Sequence, residues 1–122
     1  MPAVAVLVVE DNEVNLKLIS FLLKSRGHEV RVATNAHEAM AALQAMRPRL
    51  ILMDLALPGI DGFQLTRTIK SAPETRDIPV VALTAYAMKG DEEKARAAGC
   101  DGYITKPFDI RAFMERIAAF LG

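Results

Sequence analysis

Short apolar runs alternate along the chain with segments of helical spacing, and this alternation is the feature that most constrains the fold. The runs are AVAVLVV (3–9), EVRVA (29–33), LILM (50–53), PVVAL (79–83) and GYIT (102–105). Nearly continuous Val, Ile and Leu, as in the first, third and fourth runs, is typical of strands covered on both faces. Five strands alternating with helices predict an α/β fold, in which right-handed crossovers join the strands of a parallel sheet and helices cover both faces.

Helical spacing marks the segments that follow the first and fourth runs. Val14, Leu18 and Leu22 repeat every four residues and predict a first helix that ends near Gly27. A fourth helix is predicted from about Lys89 to residue 98, where the sequence is charged and rich in alanine. Its apolar face is weak, so we expect it to be loosely held on the sheet.

Two other helices carry start signals. Asn35 and Glu38 in NAHE resemble a capping box, and the second helix has one apolar face consisting of Ala39, Leu43 and Met46. Asp109 is the predicted N-cap of a closing helix, whose apolar positions are Ile110, Phe113, Met114, Ile117 and Leu121. A third helix is expected after residue 62.

Composition places the chain among ordinary globular domains. Its 122 residues fit one domain, 1–122, and 15 basic residues balance 15 acidic ones, so the net charge favours neither nucleic acid nor a membrane surface. Cys100 is the single cysteine, which suits a reducing compartment. No apolar stretch approaches the roughly 20 residues that span a bilayer. We expect a cytoplasmic protein that neither inserts into membranes nor binds nucleic acid.

Polar side chains follow the apolar runs where strands should end. Glu10 and Asp11 follow the first run, and Asp54 interrupts the apolar stretch ILMDLALPGIDG (51–62). Thr84 ends the fourth run, and Lys106 follows the fifth. Because ligands of open α/β sheets bind outside the carboxyl ends of the strands, these side chains are predicted to meet at one site.

The combination indicates phosphoryl transfer onto a carboxylate. Three carboxylates close together repel one another unless a cation neutralises them. Mg²⁺ suits this role because it prefers a few carboxylates, waters and phosphate oxygens. Lys106 adds a mobile positive charge and Thr84 a hydroxyl donor. Such transfer depends mainly on charge neutralisation and alignment, and aspartate is a known covalent acceptor.

Four motifs in the same order resemble the receiver domain of two-component response regulators, the CheY-like superfamily. They are VVEDN (8–12), LILMDLALPGIDG (50–62), VVALTAYA (80–87) and YITKPF (103–108), and the resemblance extends over essentially the whole chain. It implies a flavodoxin-like (βα)5 fold with strand order 2-1-3-4-5, the order that CheY has.

The resemblance implies a phosphoacceptor and a metal site. Asp54 would accept the phosphoryl group from a histidine kinase or phosphotransferase. Asp54 and Asp11 would bind Mg²⁺, with Glu10 acting mainly through water. Ala56 would contribute its backbone carbonyl.

A switch is implied as well. Lys106 would pair with the phosphoryl group, Thr84 would move to bond it, and Tyr103 would rotate inward behind Thr84. The peptide between Lys106 and Pro107 would be cis. Tyr86 flanks the path of the attacking water in such sites, and its bulk predicts slow loss of the phosphoryl group.

Other interpretations exist for these residues. Taken alone, Glu10 and Asp11 would be capping residues of the first helix, and Asp54 would be a turn residue. A phosphatase of the haloacid dehalogenase type also uses a strand-end aspartate with Mg²⁺, but it needs a second acid at the position of Ala56. A flavin mononucleotide or nucleotide module would need Gly, Ser or Thr after the first strand, where this chain has Glu10 and Asp11.

The expected output is a change in protein–protein contacts. The segment LTAYAMKGDEEKARAAGCDGYITKPF (83–108) resembles the single-domain cell-division regulators of the DivK type. We therefore expect a single receiver domain without an output domain, monomeric or weakly dimeric. Its downstream target would bind the surface of the fourth helix, fifth strand and fifth helix. The alternative is a receiver domain from a longer hybrid kinase or transcription factor.

Overall fold

Five parallel strands form one sheet in the order β2-β1-β3-β4-β5. The computed structural model describes residues 5–55, 62–84, 90–105 and 109–121. The strands are β1 Ala5–Val9, β2 Glu29–Ala33, β3 Leu50–Asp54, β4 Val80–Thr84 and β5 Gly102–Thr105. The helices are α1 Glu13–Ser25, α2 Ala36–Ala45, α3 Gly62–Ser71, α4 Asp91–Ala98 and α5 Ile110–Leu121. The predicted fold and strand order are confirmed.

Helices cover both faces of the sheet. One apolar cluster joins α1 and α5 to the side chains on one face of the strands, such as Val8, Leu52 and Leu83. The other joins α2, α3 and α4 to the opposite face, which includes Met53 and Ala82. Since β3 and β4 are covered on both sides, every residue of these two strands is buried. This explains why their sequences are continuously apolar until the final polar residue.

The buried face of α1 is not the one that the spacing suggested. Leu16, Ile19 and Leu23 are buried, whereas Val14 is 73% exposed. The predicted set, which begins at Val14, and the buried set, which begins at Leu16, both have helical spacing. The side of α1 that contacts the sheet decides which set is buried. The helix stops near the predicted residue, because Gly27 has a φ of 84° and its N–H donates to the carbonyl of Lys24.

The predicted caps of α2 and α5 are present. Asn35 Oδ1 accepts from the N–H of Glu38 at 2.8 Å, while Glu38 Oε1 accepts from both the N–H and the hydroxyl of Thr34 at 2.7 Å. The capping-box acid therefore bonds one residue earlier than in the usual pattern, and these bonds lower the pKa of Glu38 from its ordinary value of 4.5. Asp109 Oδ1 accepts from the N–H of Ala112 at 2.9 Å. Ile110, predicted to lie on the apolar face of α5, is half exposed.

Helix α4 has the weak apolar face that the sequence predicts. Its buried residues are the small Ala95 and Ala98. It begins after Gly90, which has a φ of 97° and makes no side-chain capping bond. Within the described part of the chain, none of the helices has the length and apolar character needed to cross a bilayer.

Candidate functional site at the carboxyl edge of the sheet

The register of β1 and β3 brings the polar residues at the ends of these two strands together. Val9 of β1 pairs with Met53 of β3, so the next residues along each chain, Glu10 and Asp54, follow side by side. The backbone of Glu10 continues the strand direction, because its N–H donates to the carbonyl of Ala33 in β2 at 3.0 Å. Sheet pairing therefore determines the position of both acids.

Glu10, Asp11 and Asp54 form a cluster of carboxylates. One oxygen from each of the three lies within 4.8 Å of the others. Glu10 is fully buried and Asp54 is 4% exposed, whereas Asp11 is open to solvent. The cluster thus consists of two buried acids and one acid that is exposed to solvent.

The cap of α1 falls on a different residue. Asn12 is the N-cap, and its side chain accepts from the N–H of Asn15 at 3.0 Å. Glu10 Oε1 in turn accepts from the N–H of Asn12 at 3.3 Å. The interpretation of Glu10 and Asp11 as the helix-capping pair is therefore wrong. Asp54 is likewise the last residue of β3 rather than a turn residue.

The donor set of this cluster fits a hard divalent cation. Carboxylate oxygens are the ligands that Mg²⁺ prefers, and Mg²⁺ usually keeps several waters. The exposed side of the cluster at Asp11 leaves room for such waters. Three acids in close proximity, two of them buried, need positive charge to offset their repulsion. The acidic cluster therefore fits a magnesium site.

Thr84 and Tyr103 lie on neighbouring strands, toward the same edge. Thr84 is the last residue of β4 and is 1% exposed. Tyr103 pairs with Ala82 in the β4–β5 register, and both belong to the cluster under α2, α3 and α4. Because side chains alternate along a strand, Thr84 lies on the same face as Ala82. Thr84 and Tyr103 thus share one face of the sheet, with the Tyr103 ring buried.

Four residues of the predicted site lie outside the described residues: Ala56, Tyr86, Lys106 and Pro107. The residue before Lys106 is described. Thr105 ends β5 beside Thr84 in the β4–β5 register. Thr105 therefore lies at the same edge of the sheet as the acidic cluster.

Three structural features around the first turns of α3 were not found by sequence reasoning. Gly62, the first residue of α3, lies against the backbone of Asp54. The fully buried Thr66 donates its hydroxyl to the carbonyl of Gly62 at 2.7 Å. Burial raises the pKa of the Cys100 thiol, which lies 3.9 Å from the Thr66 hydroxyl. A glycine as the first residue within a helix, where helix propensity favours alanine, was the available signal for Gly62.

Comparison with known proteins establishes the family. The sequence model of the response regulator receiver domain matches residues 6–118. The chain belongs to the response regulator receiver domain family. The polar-differentiation response regulator DivK of Brucella anthropi is 46% identical over 118 residues, which cover 97% of this chain and 96% of that protein. The resemblance stated from the motifs is therefore confirmed.

Solved structures of receiver domains have the same architecture. The receiver domain of the sensor histidine kinase PA1611 from Pseudomonas aeruginosa has a TM-score of 0.90 and 35% identity, covering 99% of each chain. That structure has a magnesium ion coordinated in its active site cleft. The chemotaxis response regulator CheY4 of Vibrio cholerae has a TM-score of 0.91 at 24% identity, covering 98% of this chain and 99% of its own, which shows the shared fold.

Proposed function

We propose that this receiver domain accepts a phosphoryl group on Asp54 from the phosphohistidine of a kinase or phosphotransferase. The observation that carries the proposal is the cluster of Glu10, Asp11 and Asp54, whose oxygens lie within 4.8 Å at the carboxyl edge of the sheet. Asp54 is the member at the end of the central strand, between β1 and β4. Asp54 itself is only 4% exposed, so an incoming phosphoryl group would reach it from the solvent-exposed side of the cluster, at Asp11.

The proposed reaction is a direct displacement at phosphorus. A carboxylate oxygen of Asp54 attacks the phosphorus atom, and the new O–P bond forms as the P–N bond to the histidine breaks. The electron pair of that bond stays on the imidazole nitrogen, which takes a proton from solvent water. Asp54 becomes an aspartyl phosphate, and no oxidant or other co-reactant is needed.

Glu10, Asp11, Asp54 and the backbone carbonyl of Ala56 are the proposed ligands of Mg²⁺, with Glu10 acting mainly through water. A bound magnesium ion supplies charge neutralisation for the phosphoryl oxygens. Lys106 is proposed to pair with the same oxygens as a point charge, and Thr84 to donate its hydroxyl. The position of Thr84 at the adjacent end of β4 supports this role.

The proposed output is a switch in protein–protein contacts. Phosphorylation adds negative charge and acceptor oxygens at Asp54, which draw Thr84 toward them and let Tyr103 reorient behind it. Helix α4 is the element best suited to respond, because the side chains that it is described to bury are the small Ala95 and Ala98. A population shift of the surface formed by α4, β5 and α5 would then favour a different partner. The similarity to DivK supports a role in polarity or cell-cycle control.

A second candidate follows from the similarity to the receiver domain of a sensor histidine kinase, at 35% identity. In that case the phosphoryl group on Asp54 would pass to or from a histidine of the same signalling protein. Transfer assays with purified histidine phosphotransfer domains distinguish the two roles. Rapid return of the phosphoryl group to a histidine favours the relay, and a change in binding of a separate target favours the DivK-type role.

Turnover of external phosphate esters is disfavoured by the residue two positions after Asp54. Phosphatases that use a strand-end aspartate protonate the leaving group with a second acid. Ala56 has no proton to give. The proposed chemistry is therefore limited to the chain's own phosphorylation and dephosphorylation, with Tyr86 slowing the second step.

The direct test replaces the acceptor. Asp54→Asn is expected to abolish Mg²⁺-dependent labelling by acetyl phosphate or a phosphorylated kinase, because the amide is not a nucleophile for phosphorus. The measurement is incorporation of labelled phosphate, with and without a chelator. Asp77→Asn, an exposed acid before β4, is the matched control and should label like the wild type. Undiminished labelling of Asp54→Asn would overturn the assignment.

A further inference from the structure

The backbone of Gly62 lies directly against that of the proposed phosphoacceptor. Its N–H donates to the carbonyl of Leu55 at 3.1 Å. A Cβ placed on Gly62 would lie 2.5 Å from the carbonyl oxygen of Asp54 and 2.6 Å from the Cα of Leu55. Real Cβ atoms essentially never come within 3.0 Å of another heavy atom in this way. The first turn of α3 therefore lies directly on the end of β3.

Space, rather than backbone conformation, requires the glycine here. Three described glycines have positive φ, namely Gly27, Gly90 and Gly99, and Gly62 is not one of them. An alanine could therefore adopt the backbone angles of Gly62 without strain, and helix propensity alone favours alanine over glycine. The contact with Asp54 and Leu55 is what opposes the substitution.

Neither side of this contact can yield easily. Leu55 is anchored by its N–H, which donates to the carbonyl of Leu83 in β4 at 3.1 Å. On the helix side, Leu65 and Ile69 are buried in the core, and the hydroxyl of Thr66 holds the carbonyl of Gly62. Close-packed interiors transmit such strain rather than absorb it. An added methyl group must displace the backbone at Asp54, the start of α3, or both.

We propose that Gly62 is a positioning residue for the phosphoacceptor. Its missing side chain lets α3 lie on the backbone of Asp54, and this contact helps set the distance of the Asp54 carboxylate from Glu10 and Asp11. The inference rests on the proposed function, since it concerns the same acidic cluster. Displacements of about 1 Å can lower a reaction rate by up to about a hundredfold, so a modest shift at Asp54 has a large expected effect.

The test compares Gly62→Ala with Ile69→Val, which also weakens α3 but lies two turns away from the contact. Two quantities are measured at a temperature where each variant is fully folded: the Mg²⁺ dissociation constant from backbone amide shifts, and the rate of labelling by acetyl phosphate. We expect Gly62→Ala to weaken Mg²⁺ binding and slow labelling by on the order of tenfold. Ile69→Val should stay within about twofold of the wild type in both, since distant sites act independently.

The outcomes separate this inference from the proposed function. If the wild type is not labelled at all, the proposed function fails, while the Mg²⁺ titration still tests the role of Gly62. If the wild type is labelled and Gly62→Ala matches Ile69→Val in both measurements, the inference is overturned. A lowered melting temperature with unchanged Mg²⁺ affinity and labelling rate would also overturn it, because Gly62 would then be structural only.

Thr66→Val decides the case in which Gly62→Ala fails to fold. Valine keeps the volume of the threonine but removes the hydroxyl bond to the carbonyl of Gly62. A weaker Mg²⁺ affinity and slower labelling than in Ile69→Val would support the inference. Values equal to those of Ile69→Val would overturn it.

Discussion

Helices α4 and α5 precede and follow the same strand, β5, yet they are held in different ways. Helix α5 buries large side chains, including Phe113 and Ile117, which are 0% and 1% exposed. Helix α4 buries Ala95 and Ala98 and faces solvent with most of its other side chains. The free energy gained by burying apolar side chains is roughly proportional to the buried area, so α5 contributes far more to the free energy of folding than α4 does.

The ends of the two helices differ in the same sense. Asp109 caps the start of α5 with a side-chain bond, whereas Gly90 starts α4 without one. The C-terminal end of α4 is instead held by a side chain of α3. Gly99 ends the helix at a φ of 111°, and the stem of Lys70 packs so closely there that a Cβ on Gly99 would lie 2.7 Å from its Cγ.

Lys70 connects this end of α4 to the rest of the fold. Its ammonium donates to Asp101 Oδ2 at 2.8 Å and to the carbonyls of Arg76 and Ile78. Asp101 Oδ2 also accepts from the N–H of Val80 at 2.9 Å. Helix α5 is thus part of the core, while the contacts among the described residues that attach α4 through Lys70 lie at its C-terminal end, away from the proposed site.

The largest expected effect is in α5. Phe113→Ala should lower the free energy of unfolding by about 3–5 kcal/mol, because it leaves a cavity at a fully buried site. Urea unfolding followed by circular dichroism measures this. Ala98→Gly in α4 is the matched change and should cost about 1 kcal/mol, from helix propensity. Equal losses of unfolding free energy in the two variants would contradict the conclusion that α5 contributes more to stability than α4.

An intermediate effect is expected at the attachment of α4. Lys70→Met keeps the aliphatic stem but removes three hydrogen bonds from a side chain that is only 18% exposed, and should cost about 2 kcal/mol. Hydrogen exchange should show the amides of α4 losing protection before those of α5. Arg111→Met, in the exposed pair with Glu115, serves as the control and should change stability little. If the α4 amides keep their protection from hydrogen exchange in Lys70→Met, Lys70 does not attach α4 to the fold.

The smallest effect is expected on the solvent side of α4. Arg96 lies 3.1 Å from Glu92 one turn earlier, and both side chains are more than half exposed. Arg96→Ala should change the free energy of unfolding by no more than about 0.5 kcal/mol, as is usual for such pairs. Thermal unfolding at low and high salt measures this. A loss as large as that of Lys70→Met would mean that the exposed face of α4 also holds it.

Much of the fold was predictable because local patterns and the sheet agree. Strands that are covered on both faces must be apolar throughout, so their positions were found to within two residues at each described end. The caps at Asn35 and Asp109 depend on neighbouring residues and were also predicted. The apolar face of α1 was not, because Val14 and Leu16 begin two alternative stripes, and the sequence does not contain the direction from which the sheet approaches.

For the candidate site, too, the sequence determines one part and the tertiary structure another. The sequence by itself determined that the acids at 10, 11 and 54 lie at strand ends, because polar residues interrupt apolar runs there. Tertiary structure decided that β1 and β3 are neighbours, which brings the three carboxylates within 4.8 Å. It also placed Gly62 against the backbone of Asp54, where an added Cβ would lie only 2.5 Å from the carbonyl oxygen. Close approach between two backbones far from regular pairing leaves no local pattern, so only packing in three dimensions defines it.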